Sequence, residues 1–229
     1  MTRPLLLLPG LNNTGAVFAD VVAAIDPRID ARAPTLPALD RVDALADHLL
    51  AGLPGRFHLC GFSFGGYVAL AMLARAPDRI AGLALAGSLP GADGDAGRDN
   101  RERAIATARS GGYEAMVQAN ATAAFHPDSI ANADLMARRA AMVADYGAGR
   151  FIAHSAAAMA RPDRTDRLAS FDGPLILMAG EADPLTPRAR MEELVGSART
   201  HVVAGAGHLL PMERPRAMAD LLSHWMLDN

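Results

Sequence analysis

The sequence contains no lysine, so all 22 of its basic residues are arginine. That absence excludes Schiff-base chemistry and the phosphate-binding loop that depends on a lysine. There is a single cysteine, Cys60, which excludes an intrachain disulfide and a cysteine-built metal site. Long apolar runs are also missing. Leu5–Leu8, which follows Arg3, is four residues long and ends at Pro9-Gly10. An export signal needs about 7–15 apolar residues and a membrane span roughly 20, so this run reads as a strand and the expected location is cytoplasmic. No basic cluster appears, and a net charge of −3 with an isoelectric point near 6.1 argues against nucleic acid or a membrane as partner.

What is present describes an ordinary globular chain: 229 residues, 51% hydrophobic and 21% charged. A chain of this size buries roughly 70–75% of its unfolded surface and needs no disulfide or structural metal. Short apolar runs alternate with helical patterns. Strands are expected at Leu5–Leu8, Ile29–Ala33, Phe57–Cys60, Ile80–Ala86, Pro174–Met178 and His201–Val203. Between them helices are expected at Thr14–Ala24, Arg41–Leu53, from the Gly61–Gly66 turn through Arg75, at Arg188–Val195 and at Arg214–Leu227. Continuous apolar strands alternating with helices predict an α/β fold, a mostly parallel sheet of about six strands covered on both faces. The stretch from Leu89 to Arg167 breaks the rhythm, with a Gly/Asp-rich loop at Gly91–Asp99 and Ala-, Met- and Arg-rich helical segments. The expected layout is a core from 1–88 and 168–229 with a helical lid at 89–167.

Gly61-Phe62-Ser63-Phe64-Gly65 lies between a strand and a helix. A serine at such a turn needs a strained backbone, and flanking glycines remove the side chains that would collide. Its hydroxyl then stands at a helix N-terminus, where free N–H groups meet developing negative charge. A serine needs a base to take its proton. Of seven histidines, only His208 lies on a Gly-punctuated loop straight after an apolar strand, at the same carboxyl edge of the sheet as Ser63. The loop after Pro174–Met178 offers Asp183, locked by Pro184, to orient that histidine, with Glu181 as its competitor. Two backbone N–H groups are expected to face the oxyanion, those of Phe64 and Leu11. Asn12 and Asn13 read as turn formers, with side-chain donation as the alternative. The candidate walls of a substrate pocket are Phe62, Phe64 and Leu11, with Tyr113, Phe125, Met136, Met142, Tyr146 and Met159 from the lid; each lid residue is also an ordinary packing residue. Charged groups are scarce among them, so a modest, mostly apolar group is expected there. Arg161 and Arg164 could bind a carboxylate, but solvation or pairing of the lid to the core is the favoured reading.

These residues resemble the α/β-hydrolase superfamily along essentially the whole chain, and its small bacterial esterase-like members most closely. The resemblance is carried by Leu8-Pro9-Gly10-Leu11, by Gly61–Gly66, by Arg161-Pro162-Asp163, by Gly180-Glu181-x-Asp183-x-Leu185-Thr186-Pro187, and by Gly205-x-Gly207-His208 leading to Glu213-Arg214-Pro215. The chain order serine, aspartate, histidine is that of the fold. The resemblance implies an α/β-hydrolase fold lacking the first two of its usual eight strands. It further implies a triad of Ser63, Asp183 and His208, no cofactor or metal, and two-step hydrolysis of a small-molecule carboxylic ester. Lactones, thioesters and carbon–carbon bonds use the same machinery, as does a lyase. A receptor with a vestigial triad is the alternative of another class. Dehalogenation is disfavoured, because Ser63 stands where that chemistry uses a carboxylate. One departure stands out: relatives usually open the oxyanion loop with His-Gly, and here it is Pro9-Gly10, which removes a bracing side chain.

Overall fold

The computed structural model describes residues 4–53, 55–196 and 199–228. Six strands, β1 (Leu5–Leu8), β2 (Ala31–Arg32), β3 (Phe57–Phe62), β4 (Ile80–Ala86), β5 (Leu175–Gly180) and β6 (Thr200–Val203), form one sheet in the order β2-β1-β3-β4-β5-β6. Every pairing is parallel. Side chains alternate across the sheet because successive Cβ atoms point to opposite faces. Leu5, Leu7, Cys60, Phe62, Ala84 and Ala86 join one core cluster, whereas Leu6, Leu8, Leu59, Leu83 and Leu85 join another. Both faces are therefore covered, which is why these strands read as continuous apolar runs with His58 of β3 as the one polar interruption.

The helices follow the expected places with local differences. The Thr14–Ala24 pattern begins as a 3-10 turn at Gly15–Phe18 and continues as α1 (Ala19–Ala24). Next are α2 (Val42–Ala51) and α3 (Phe64–Arg75). The Ile29–Ala33 strand shrinks to two paired residues, as suits a sheet edge. Between β4 and β5 lie α4 (Asp95–Arg109), α5 (Tyr113–Ala119), α6 (Ala121–Ala124), α7 (Pro127–Ile130), α8 (Ala133–Met159) and α9 (Thr165–Ala169). The second half of the Gly91–Asp99 stretch is therefore helix rather than loop. No strand occurs in this segment among the described residues. The chain ends with α10 (Arg188–Val195), a single helical turn α11 (Leu210–Glu213) and α12 (Pro215–Leu227).

Met218, Ala219, Leu222 and Trp225 bury one stripe of α12, with the helical spacing that lets it pack with α1 on the first core. The opposite face is covered by α2 and by α3, whose Val68, Leu70 and Met72 are buried. Full burial of such side chains contributes about 1.5–3 kcal/mol each. A third, small cluster of Ala108, Tyr113, Val143, Tyr146 and Phe151 binds α4, α5 and α8 together. Within α8, Gly147 adopts φ 75°, ψ 160° and breaks the helix into two arms. No helix among the described residues is long and apolar enough to cross a membrane.

Candidate active site

Three loops at the carboxyl edge of the parallel sheet deliver the site. The first is the turn from β3 into α3. Ser63 sits there at φ 51°, ψ −117°, a region sparsely used by residues with a side chain. The turn is possible because backbone crowds both flanking glycines. A Cβ on Gly61 would lie 2.4 Å from the Gly66 Cα, and one on Gly65 would lie 2.1 Å from the Leu8 oxygen. The second loop, after β5, carries Asp183, and the third, after β6, carries His208.

The three side chains meet in a chain of hydrogen bonds. His208 Nε2 lies 2.9 Å from Ser63 Oγ, and His208 Nδ1 lies 3.0 Å from Asp183 Oδ2. The Asp183 side chain is fully buried and that of His208 nearly so. Asp183 also accepts from the Thr186 hydroxyl at 2.5 Å and from the Leu185 N–H at 2.8 Å. Burial by itself raises a carboxyl pKa. Here the hydrogen bond and charge of His208, with the Thr186 and Leu185 donors, outweigh it and hold Asp183 below the usual range. Glu181 takes no part in this chain: its Oε2 accepts from the Gly205 N–H at 3.0 Å on an exposed edge.

Leu11 and Phe64 both border a cavity of about 250 Å³ that also reaches Ser63 and His208. Phe64 is the first residue of α3, whose opening N–H groups have no intrahelical acceptor. Among the described residues, the Leu11 N–H finds no backbone acceptor either. The asparagines are spent on the turn. Asn12 holds φ 61°, and Asn13 Nδ2 donates to the Leu11 carbonyl at 2.6 Å.

The six lid residues expected as pocket walls do not line this cavity, nor a second one of about 360 Å³ that opens beside Ser63. Tyr113, Phe125, Met142 and Tyr146 are buried in packing, and Met136 packs against the first core cluster. Met159 closes the C-terminal end of α8. Phe62 is also fully buried, its ring 5.4 Å from that of His208 as a support rather than a wall. The reason is physical: large apolar side chains on amphipathic helices are consumed in holding those helices together. The wall positions go instead to residues not expected there, including Tyr67, Arg101, Arg139 and Leu185. The surroundings of Ser63 are accordingly more cationic than the apolar expectation.

Four further residues tie the site together. Glu213, buried, accepts from the Gly207 N–H at 2.9 Å and from the His126 N–H at 2.7 Å, joining the His208 loop to the helical segment. Arg139 is also buried and donates through Nη1 to the Asn12 carbonyl at 2.5 Å and to Asn13 Oδ1 at 2.8 Å. Burial pushes its pKa down to about 10, partly offset by the nearby Tyr113 and Tyr146. Tyr113 donates to Asn12 Oδ1 at 3.2 Å. His154 stacks on Phe64 with ring centres 4.8 Å apart. Its Nε2 bonds the Pro37 carbonyl at 2.8 Å, so that nitrogen carries the hydrogen and Nδ1 accepts from the Tyr146 hydroxyl at 2.6 Å. Burial, with the Arg150 charge, lowers the His154 pKa against the Pro37 bond. Of these, Glu213 had a sequence signal, standing in the Glu-Arg-Pro run after His208, and Tyr113 was expected as a pocket wall rather than as a tie; Arg139 and His154 had none. The two arginines expected as solvated or pairing are buried pairing groups: Arg161 meets Asp93 at 2.8 Å and Arg164 meets Asp43 of α2 at 2.6 Å. Among the described residues, no group of three or more His, Cys, Asp or Glu is placed to hold a metal ion.

Comparison with known proteins agrees with this architecture. A polyketide synthase, ThaQ of Burkholderia thailandensis, is 30% identical over 237 residues, covering 89% of this chain and 11% of that protein. The pimeloyl-[acyl-carrier protein] methyl ester esterase of Nitrosomonas europaea is 33% identical over 94 residues, 38% of this chain and 37% of that enzyme. The matches thus span well under half the length of these curated relatives. Among solved structures, a thermophilic esterase from Thermogutta terrifontis, with malate bound, superposes with a TM-score of 0.93 at 24% identity, over 100% of this chain and 90% of that one. The model of the alpha/beta hydrolase family matches residues 5–221, and the chain belongs to that family.

Proposed function

We propose that the chain is a serine hydrolase that cleaves a small carboxylic ester through an acyl-enzyme on Ser63. The observation that carries this reading is the unbroken path Ser63 Oγ to His208 Nε2 and His208 Nδ1 to Asp183 Oδ2, at 2.9 and 3.0 Å. Ser63 Oγ attacks the ester carbonyl carbon as His208 Nε2 takes its proton, and the oxyanion is met by the Phe64 and Leu11 N–H groups. His208 returns that proton to the leaving alcohol as the C–O bond breaks. It then takes a proton from water, whose oxygen attacks the acyl carbon, and returns that proton to Ser63 Oγ as the acyl–oxygen bond breaks and the acid leaves. Asp183 accepts from Nδ1–H throughout, which keeps Nε2 free to act as base.

In this reading residues 89–167 form a cap over a core of 1–88 and 168–229, and the cap supplies part of the cavity wall. Esterase names among the relatives are consistent with it. The test is hydrolysis of a p-nitrophenyl ester series from acetate to dodecanoate, with Ser63→Ala and His208→Ala beside the parent. Loss of several orders of magnitude in both variants is expected. A folded parent that turns over none of these esters would sink the reading.

A further inference from the structure

Four arginines, Arg101, Arg139, Arg161 and Arg190, line the two cavities at Ser63; Glu193 pairs with Arg190 at 2.7 Å, and one carboxylate answers both Arg101 and Arg161. Asp93 accepts from Arg101 Nε at 2.5 Å and from Arg161 Nη1 at 2.8 Å. Burial raises its carboxyl, but those two arginines outweigh this and hold it below the usual range. Arg139, which lines the 250 Å³ cavity with Ser63, has no carboxylate within ion-pair distance among the described residues. It is only 8% exposed. Its two hydrogen bonds both use Nη1 and both go to neutral oxygens. Among the described residues, no hydrogen bond engages Nε or Nη2, and neither atom is sealed inside the protein.

Taking a guanidinium out of water costs several kcal/mol unless an anion compensates it. A planar fork with two unspent nitrogens beside a reactive serine matches a carboxylate held by paired hydrogen bonds. We propose that the ester accepted at Ser63 bears a carboxylate a few bonds from the scissile carbonyl, and that Arg139 holds it. This rests on the serine-hydrolase reading. Asp93 balances only one of the two arginines it pairs with, so the adjoining wall keeps a net positive charge, which draws an anion to the same cavity.

The experiment measures kcat/KM for monomethyl glutarate against methyl pentanoate, its neutral counterpart, with p-nitrophenyl acetate as a control. A parallel pair, O-acetylglycolate against ethyl acetate, places the carboxylate on the alcohol side. The parent is expected to prefer the anionic member of one pair by roughly tenfold to a hundredfold, the worth of a charge-assisted bond. In Arg139→Gln that preference should fall towards unity, and Arg139→Lys should restore part of it. Any cost to the Asn12 turn falls on both members of a pair alike, so the ratio isolates anion recognition. A parent that cleaves p-nitrophenyl acetate without preferring either anion overturns the proposal and leaves the hydrolase reading intact. A folded parent that cleaves none of the esters overturns the hydrolase reading itself. Equal losses for both members in Arg139→Gln would make Arg139 a brace only. Should that variant not fold, glutarate must inhibit p-nitrophenyl acetate hydrolysis by the parent competitively and less so in high salt; no inhibition refutes the proposal.

Discussion

Exchanging Asp183 for asparagine tests which acid serves the site, with a magnitude set by hydrogen-bond counting. The carboxylate accepts three bonds, from His208 Nδ1, the Thr186 hydroxyl and the Leu185 N–H. An amide keeps one oxygen and gains an NH2 that cannot accept. With the oxygen turned to the Leu185 N–H, the NH2 faces His208. The imidazole must then present a lone pair at Nδ1 and carry its hydrogen on Nε2, where it cannot take the Ser63 proton. The same amide exchange in a well-studied Ser-His-Asp enzyme lowers turnover about 10⁴-fold, which is about 5.4 kcal/mol of transition-state stabilisation. Asp183→Asn should therefore lose about four decades in kcat on p-nitrophenyl acetate with little change in KM, while its melting curve shows it folded. Glu181→Gln should stay within a few-fold of the parent, because the Glu181 carboxylate accepts from the Gly205 N–H and takes no part in the path from Ser63 to Asp183. Asp183→Asn within tenfold of the parent, or Glu181→Gln falling a thousandfold, would refute the reasoning.

Three other outcomes follow from buried groups. Tyr146→Phe removes the donor to His154 Nδ1 and strands a buried acceptor, at about 1–3 kcal/mol; differential scanning calorimetry should show Tm lower by about 2–12 °C. The Cys60 thiol, pushed up to about 12 by burial, should not react with dithionitrobenzoate in the native protein and should titrate as one thiol per chain after unfolding in guanidinium. Acid should erode stability in two stages. The folded-state pKa of His154 is lowered, so below about pH 6.5 the unfolded chain binds more protons and stability falls with pH; the same sign holds for Asp183 below about pH 3.8. Urea titrations at pH 7.5, 5.5 and 3.5 read both stages. The first should flatten in His154→Gln, and equal stability of the parent at pH 7.5 and 5.5 would contradict it.

The sheet was legible because its strands are buried on both faces, which writes an apolar run into the chain at β1, β3, β4 and β5, interrupted only by His58 of β3. The edges carry no such mark. Ala31–Arg32 pairs for two residues only, and β6 has one buried position in four. The elbow at Ser63 was legible because its geometry forces glycine at close range. The walls were not. Tyr113, Tyr146 and Met142 have the residue types of a pocket lining, yet on amphipathic helices those types pack inward. Nothing local distinguishes Arg139 from its exposed neighbour Arg138, which pairs with Asp20 at the surface. Only the path of α8 over the turn at Asn12 turns one arginine inward and the other outward.

That path also accounts for Pro9. Proline offers neither a backbone donor nor a polar side chain, so a loop opened by Pro9-Gly10 cannot brace itself where histidine would. The load passes to Asn12, which holds φ 61° at a cost that surrounding contacts must offset. Arg139 grips its carbonyl and Tyr113 its side-chain oxygen, from positions 127 and 101 residues further along the chain. Burial raises the Tyr113 and Tyr146 hydroxyls above their ordinary range, so both remain protonated. On the other side of the site, Glu213 ties the His208 loop to His126. The turn beside Leu11 and the loop bearing His208 are therefore each held by the segment between β4 and β5. That segment is part of what fixes the geometry around Ser63, and a change in its packing alters the site even where it touches no substrate.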